Sequence, residues 1–345
     1  MVARVVPEYS KSAVGRASKL VGKGKGTPAE LAEARAVLSN FRSAHAFPLN
    51  AVTVTVTVRQ KALVVNPSAV VAQRLKRLPT ILDKLTRIPT MSVTTMHDLG
   101  GCRVVFETVD EVEELVHALR ELPRARNRVT RVYDYLHDDP GPKDSGYRGI
   151  HLAYEYGASK PEYHGLRIEL QVRTQLQHAW ATAVETMDLF SGSELKYGKG
   201  DPEVIRFFVL VSSLMACEER TAPVPGAEVP ARDLLDELAK LEVSLGIVGR
   251  LRGYAAIVSS HATSDRRNAL TLELRRKEGA LTVTVHETMA EAEARLTELE
   301  SRNDDDLDAV LVNIARISQL QAAYPNYYAD TSMFTDFATS QIEGR

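Results

Sequence analysis

Residues 166–173 alternate strictly between apolar and polar side chains. The apolar set is Leu166, Ile168, Leu170 and Val172, and the polar set is Arg167, Glu169, Gln171 and Arg173. Side chains of a strand point to opposite faces with a period of two, so the pattern predicts a strand with one face on the core. The polar face is either an ordinary solvated face or part of a site.

A helical pattern follows this strand directly. One stripe is apolar and holds Leu176, Trp180, Val184 and Met187, and a second stripe holds Thr174, His178, Thr182 and Glu185. Both stripes have helical spacing. A lone histidine on a helix is usually structural, but here strand and helix direct polar groups toward adjoining space. The pattern therefore favours a cleft.

Patterns before this strand predict further elements. Residues 1–47 are predicted to be helical with a break at 21–28, where Thr27 is a candidate N-cap before Pro28. Residues 69–87 are predicted to form a basic helix with a kink or a new start at Pro79. Strands are predicted at 102–107, 129–135 and 150–156, and a helix at 109–122. The strands at 150–156 and 166–173 are expected to be antiparallel neighbours.

After residue 189 the chain is predicted to continue with a loop at 191–200 and an apolar helix at 204–219. A proline-rich linker at 221–230 is the expected domain boundary. Residues 231–260 are expected to be helical, followed by a hairpin of 270–276 and 281–286, a glutamate-rich helix and a strand at 310–314. The aromatic tail holds Tyr324, Tyr327, Tyr328, Phe334 and Phe337 and is expected to dock on its own domain, to cover the basic face or to bind a partner. Covering of the basic face is the favoured hypothesis, because the acidic back of the chain and its basic front are complementary.

The elements together predict an α+β fold, with a mixed or antiparallel sheet of about five strands flanked by helices. Residues 1–67 would form a basic helical region, 68–220 the central domain and 231–340 a smaller α+β region. Residues 342–345 match a protease-recognition tag and are set aside.

Composition narrows the class of protein. The 345 residues are 44% hydrophobic and 26% charged, which is typical of a globular protein in water. Cys102 and Cys217 are the two cysteines, so neither a disulfide framework nor a cysteine metal cluster is expected. No apolar run is long enough to span a bilayer, and we expect a cytoplasmic protein without a membrane partner.

Charge is unevenly distributed along the chain. Residues 1–90 hold 15 Lys and Arg against 4 Asp and Glu, whereas the remainder holds 28 against 41. A basic first quarter indicates a polyanionic ligand, or it docks on the acidic remainder of the same chain.

Four blocks of the sequence carry candidate chemistry. The first is the predicted basic helix with Arg74, Lys76, Thr80 and Lys84, and the second reads Asp-Leu-Gly-Gly-Cys-Arg at 98–103. The third reads Pro-Lys-Asp-Ser-Gly-Tyr-Arg-Gly-Ile-His at 142–151, and the fourth reads Glu-Leu-Gln-Val-Arg-Thr at 169–174. In this order, over residues 70–190, the four blocks resemble the synthetase domain of the RelA/SpoT family, the alarmone synthetases, and together they are a specific match.

The resemblance implies transfer of pyrophosphate from ATP to a ribose 3′-hydroxyl. Asp98 and Glu169 would hold Mg²⁺, and Glu169 with Gln171 would orient or deprotonate the hydroxyl. Tyr147 would stack on the acceptor base. The implied phosphate-binding residues are Arg74, Lys76, Thr80, Lys84, Arg103, Lys143 and Arg148. The implied residues that support the acceptor side are His151, Arg173 and His178.

The chain departs from the family pattern at three places. Gly149 replaces a serine, and Val184 and Glu185 stand where the alarmone enzymes have a Glu-His pair, which affects the choice of acceptor. The family places a helix at 50–65, and we adopt a helix there although residues 52–58 alternate like a strand.

The sequence does not decide which molecule accepts the pyrophosphate. A guanosine or adenosine nucleotide and the 3′ end of tRNA are both compatible with the blocks, and a catalytically inactive binding module is disfavoured because the carboxylates and cations are intact. Residues 231–340 would inhibit, sense, bind a protein partner or buttress the fold. The oligomeric state is not predicted.

Overall fold

A computed structural model describes residues 5–63, 69–122, 127–137, 140–157, 160–191, 195, 198–257, 259–261, 268–275, 280–302, 304, 306–314 and 330–344. Helices α1 to α11 span Lys11–Lys23, Pro28–Ala44, Ala46–Leu63, Leu78–Arg87, Val109–Arg120, Gln175–Ser191, Pro202–Glu219, Ala231–Leu245, Ile247–Ile257, Met289–Ser301 and Ser332–Glu343. Strands β1 to β9 span Val70–Leu75, Gly100–Phe106, Asn127–Asp134, Ile150–Tyr156, Arg167–Thr174, Ser259–His261, Asn268–Arg275, Ala280–His286 and Leu307–Ile314.

The sheet runs in the order β3-β4-β5-β2-β1-β9-β7-β8-β6. The first five strands form the predicted mixed sheet, in which β2 and β5 are parallel and the other pairs are antiparallel. The α+β fold class is confirmed, and so is the antiparallel pairing of β4 with β5. The C-terminal strands extend the same sheet through Gln73 opposite Asn313, which was not predicted.

The predicted helix at 69–87 is wrong in its first half. Residues Val70–Leu75 form β1 and pair with β2, and α4 starts at Leu78, with Pro79 in its first turn. Proline is tolerated in the first turn of a helix but not in its interior. A helix therefore starts near Pro79 instead of passing through it.

Residues 52–58 form part of helix α3, as the family resemblance implied, and not a strand. Val52 and Val56 lie one helical turn apart and are buried, whereas Val54 and Val58 face solvent. The hydroxyls of Thr55 and Thr57 donate to carbonyl oxygens four residues earlier. Burial of one helical stripe therefore overrides the strand propensity of the alternating pattern.

Helix α2 starts as predicted. The Thr27 hydroxyl accepts from the Glu30 backbone at 3.3 Å, and the Glu30 carboxylate accepts from the Thr27 backbone at 2.7 Å. This reciprocal capping box satisfies two donors at the helix start, with Pro28 in the first turn.

One face of the five-stranded sheet packs on a hydrophobic core with α3 and α5. Ile168, Leu170 and Val172 of β5 are fully buried there, as the alternation predicted. The polar residues of β5 lie on the opposite face, so packing of the apolar face leaves the other one available for a site.

Helices α8, α9 and α11 share a second core with α6 and α7. Phe334 of α11 is fully buried and stacks on Phe208 of α7 at a centroid distance of 5.4 Å, and Phe337 packs against the same core. The favoured hypothesis of a tail that covers the basic face is therefore wrong for Phe334 and Phe337, which dock on the body. Tyr324, Tyr327 and Tyr328 lie outside the described residues.

The segment 221–230 also packs on the body. The Ala222 backbone donates to the Leu136 carbonyl at 3.0 Å, and Val224 and Ala227 are buried. The division into 1–67, 68–220 and 231–340 stays a prediction. Among the described residues, no helix combines the length and the apolar character needed to cross a membrane.

We expect Phe334→Ala to lower the free energy of unfolding by about 3–5 kcal/mol, because a large buried ring is replaced by a cavity. Urea titration followed by circular dichroism measures the change. Met333→Ala is the matched control, since Met333 is 43% exposed. Equal stability of the two variants would contradict the place of α11 in this core.

Candidate active site

A cleft of about 520 Å³ opens on the polar face of β2, β4 and β5. Its cationic side chains are Arg74, Lys76, Lys84, Arg103, Lys143 and Arg173, and its carboxylates are Asp98, Glu169 and Glu185. The structure thus brings together residues from four separate blocks of the sequence. The volume lies in the range of small-molecule sites.

Glu169 is held at both carboxylate oxygens. His151 Nδ1 lies 3.3 Å from Oε1, and Gln171 Nε2 donates to Oε2 at 2.8 Å. The Tyr147 hydroxyl lies 2.6 Å from His151 Nε2. The two ring nitrogens of His151 thus lie between the Tyr147 hydroxyl and the Glu169 carboxylate. A chain of hydrogen bonds therefore orients the carboxylate.

The charge state of Glu169 follows from these contacts. Burial by itself raises the pKa of this carboxyl, but His151 and Gln171 outweigh burial and hold the pKa below its ordinary value. Glu169 is therefore ionised at neutral pH and can bind a cation or accept a proton.

Asp98 lies between two lysines. Lys76 Nζ is 2.8 Å and Lys84 Nζ is 3.5 Å from Oδ2. Burial raises the pKa of Asp98, but the two ammonium groups more than offset it and lower the pKa. Oδ1 is buried, and none of the described residues donates a hydrogen bond to it. Asp98 lines the cleft, so this oxygen is suited to a ligand bound there.

Arg173 is buried, and the charge of Arg103 acts on it. Burial, with the like charge of Arg103, lowers the pKa of Arg173 to about 9. The Arg173 guanidinium also contacts His178 Nδ1. Two adjacent guanidinium groups repel each other, so an anion bound between them would be strongly favoured.

Aromatic rings form one wall of the cleft. Lys143 Nζ lies 4.6 Å from the Tyr135 ring centre and 5.1 Å from that of Tyr147. Tyr133 and Tyr135 are stacked at 6.2 Å. Sequence reasoning missed these two tyrosines, although their spacing of two on a predicted strand places both on one face.

The structure does not bring every predicted site residue into the cleft. Arg148 is buried, and its guanidinium pairs with the Glu219 carboxylate at 2.8 Å. The prediction of Arg148 as a phosphate ligand is therefore corrected: its donors face Glu219, Ser212 and Thr221. Thr80 and His178 do not line the cleft, and His178 lies behind Arg173.

Glu219 at the end of α7 is the centre of a buried network. Besides Arg148, it accepts from the Thr174 hydroxyl and from Gln177 Nε2 at 3.0 Å. Arg148 follows Tyr147 in the chain, and Thr174 follows Arg173. The network therefore fixes the loop and the strand end that carry two cleft residues.

The departure at Gly149 has a structural reason. Its φ of 142° lies in the region that favours glycine. A Cβ at this position would lie 3.5 Å from the Cβ of Arg173 and 3.6 Å from the Val172 carbonyl oxygen. A serine here would therefore require a different local backbone.

A family model described as "Region found in RelA / SpoT proteins" matches residues 73–189, which contain the cleft carboxylates and cations. This chain carries a RelA/SpoT domain. The RelA/SpoT domain holds strands β2 to β5 and the second half of β1. The resemblance drawn from the four blocks is therefore confirmed.

Two curated relatives overlap this domain. The GTP pyrophosphokinase YjbM of Bacillus subtilis (strain 168) is 31% identical over 147 residues, which cover 41% of this chain and 63% of the relative. The uncharacterized protein Rv1366 of Mycobacterium tuberculosis is 28% identical over 127 residues, which cover 37% of this chain and 42% of the relative. The chain thus spans less than two thirds of the length of each.

A solved structure also resembles this chain. The small alarmone synthetase 1 from Bacillus subtilis bound to its product pppGpp has 22% sequence identity and a TM-score of 0.41. The superposition covers 50% of this chain and 88% of the synthetase chain.

We expect Glu219→Ala to lower the free energy of unfolding by about 3–5 kcal/mol, because it leaves the buried guanidinium of Arg148 without its counter-ion. Chemical denaturation measures the change. Glu218→Ala, at the exposed neighbouring position, is the control and is expected to have little effect. A Glu219→Ala protein as stable as the control would show that the network does not contribute to stability.

Proposed function

We propose that this protein transfers the β,γ-pyrophosphate of ATP to the ribose 3′-hydroxyl of a guanosine or adenosine nucleotide, as an alarmone synthetase does. One observation carries the proposal: two ionised carboxylates and six cations converge on one cleft within the RelA/SpoT domain. Phosphoryl transfer depends mainly on positioning and on stabilisation of charge, and this cleft offers both.

In the proposed reaction the 3′-oxygen attacks the β-phosphorus of ATP. The bond between the β-phosphorus and the oxygen bridging to the α-phosphorus breaks, and AMP leaves with that oxygen. Glu169 accepts the hydroxyl proton, since His151 and Gln171 hold it in one orientation as a carboxylate. Lys76, Lys84, Arg103 and Arg173 would stabilise the phosphate charge that develops.

The donor set fits Mg²⁺. Asp98 Oδ1 is buried without a donor among the described residues, and Glu169 is a second hard oxygen ligand in the same cleft. Mg²⁺ commonly binds one or two carboxylates together with substrate phosphates. When bound by Asp98 and Glu169, the ion would neutralise phosphate charge and align ATP.

The acceptor side of the proposal rests on Tyr147. Its ring lines the cleft beside Tyr135 and Trp180, and its hydroxyl contacts His151, which in turn contacts Glu169. A base stacked on Tyr147 would place its ribose near the Glu169 carboxylate. His151 and Arg173 would support this arrangement.

A second candidate acceptor is the 3′ end of tRNA. Helix α1, which packs against α4, exposes a row of cations that the nucleotide cleft does not use. They are Lys11, Arg16, Lys19 and Lys23, with Lys25 just beyond the helix. An extended basic surface favours a polyanion larger than a nucleotide. In this alternative, residues 231–340 would act as inhibitor or sensor.

Incubation with γ-labelled ATP, Mg²⁺ and one acceptor at a time tests the proposal. The acceptors are GDP, GTP, AMP, ADP, ATP and bulk tRNA. Label on a free nucleotide supports the first candidate, and label on tRNA supports the second. Release of labelled phosphate without transfer to any acceptor would contradict both.

We expect Glu169→Gln to lower the rate of transfer at least a hundredfold, about 3 kcal/mol, because the variant keeps the shape but loses the charge. Initial rates of label transfer measure the effect. Glu162→Gln, an exposed change in the same part of the chain, is the control. A folded Glu169→Gln protein with wild-type turnover would place the reaction elsewhere.

We expect Tyr147→Ala to raise the KM for the acceptor by about tenfold or more and to change the KM for ATP little, because base stacking contributes about 1–3 kcal/mol. Titration of each substrate separates the two constants. Tyr147→Phe retains the ring and is expected to keep the acceptor KM. A rise in the ATP KM alone would assign Tyr147 to the donor pocket.

A further inference from the structure

Glu300, on the C-terminal helix α10, reaches the start of helix α4. Its Oε1 accepts a hydrogen bond from the Leu78 backbone N–H at 3.0 Å, although the two residues are 222 positions apart in the chain. The Glu300 side chain is 8% exposed. The carboxylate has therefore replaced hydrogen bonds to water with a hydrogen bond to the first residue of helix α4.

Helix α4 lacks a cap of its own at this end. The N-cap residue is Arg77, which makes no side-chain capping hydrogen bond, and Pro79 has no backbone N–H to offer. The first N–H groups of a helix need acceptors, and a carboxylate there also interacts favourably with the helix dipole. Glu300 supplies both the hydrogen-bond acceptor and the negative charge, from helix α10.

Arg42 of α2 joins this contact to the cleft. Its guanidinium lies 3.7 Å from Glu300 Oε2, and its Nε donates to the Lys76 carbonyl at 2.6 Å. Arg42 is itself buried, and burial lowers its pKa while Glu300 and Glu293 partly offset that effect. A buried guanidinium requires such an acidic partner.

The segment 76–78 is thereby fixed from several sides. The Lys76 backbone N–H donates to Leu99 and its carbonyl accepts from Arg42, while Glu300 holds the Leu78 N–H. Lys76 lies in this segment, and Lys84 follows on α4. Both ammonium groups converge on Asp98 in the cleft.

We propose that Glu300 is a positioning residue, which acts with Arg42 to hold the 76–78 segment so that Lys76 and Lys84 meet the phosphates of the donor nucleotide. The choice of ATP as the ligand rests on the proposed function. It assigns to the C-terminal region a part in donor binding, in addition to its packing against the RelA/SpoT domain.

Two measurements on the whole 345-residue chain test this role. The first is hydrogen exchange of the Leu78 amide and of α4, with and without Glu300→Ala. The second is the Kd for ATP by calorimetry. We expect local exchange to accelerate and the Kd for ATP to rise about tenfold, while the Kd for the acceptor stays near that of the wild type.

Glu298→Gln is the matched control. Glu298 lies on the same helix but is exposed, where it pairs with Arg295 and Arg302. We expect no change in ATP affinity or in exchange of α4. Glu300→Gln is the second variant, because its amide oxygen still accepts from Leu78 but no longer neutralises Arg42. It is expected to raise the Kd for ATP less than Glu300→Ala does.

A purely structural role would accelerate exchange throughout the sheet and leave the ATP affinity of the folded fraction unchanged, which would overturn the inference. Unchanged exchange at Leu78 in Glu300→Ala would also overturn it. If Glu300→Ala does not fold, an unchanged Kd in Glu300→Gln overturns it and a raised one supports it. If the wild-type protein transfers no pyrophosphate while ATP binding and Leu78 exchange respond as expected, the proposed function fails and the positioning role stands.

Discussion

The parallel pairing of β2 with β5 is the constraint on which the cleft depends. It sets Gly101 opposite Glu169 and Arg103 opposite Gln171, so the carboxylate and the cation reach the same face of the sheet. A shift of one residue would turn Glu169 into the core and Leu170 toward solvent. The buried row of Ile168, Leu170 and Val172 therefore fixes the position of the polar row as well as the stability of the sheet.

The cleft carries more positive than negative charge, since six cationic side chains and three carboxylates line it. Burial and the like charge of Arg103 lower the pKa of Arg173 to about 9. The single charge of Asp98 offsets only one of the two charges of Lys76 and Lys84. Bound phosphates would relieve the repulsion among the cations, so their binding energy would come largely from charges that the fold has already brought together. In the proposed reaction the same arrangement would stabilise a transition state in which phosphate charge is redistributed.

Local patterns predicted the parts of the fold that local chemistry decides. The alternation of β5 and the Thr27 cap with Pro28 are examples, because strand faces and helix starts depend on neighbouring residues. The alternation at 52–58 favours a strand, but these residues form part of helix α3 because one helical stripe is buried against the sheet. Arg148 lies in a family motif and was expected to bind phosphate. Its buried partner Glu219 is 71 residues away and has no sequence signal that links the two.

The C-terminal region is attached to the rest of the structure at two places. Helices α8, α9 and α11 complete the core of α6 and α7, whereas β9 and α10 meet β1 and α4. The first attachment is hydrophobic and tolerates changes that conserve volume. The second includes hydrogen bonds from Arg42 to the Lys76 carbonyl and from the Leu78 N–H to Glu300. Hydrogen bonds depend on direction, so a small displacement of α10 would weaken these contacts before the hydrophobic packing. Packing thus holds the C-terminal region in place, and the polar contacts couple its position to the lysines of the cleft.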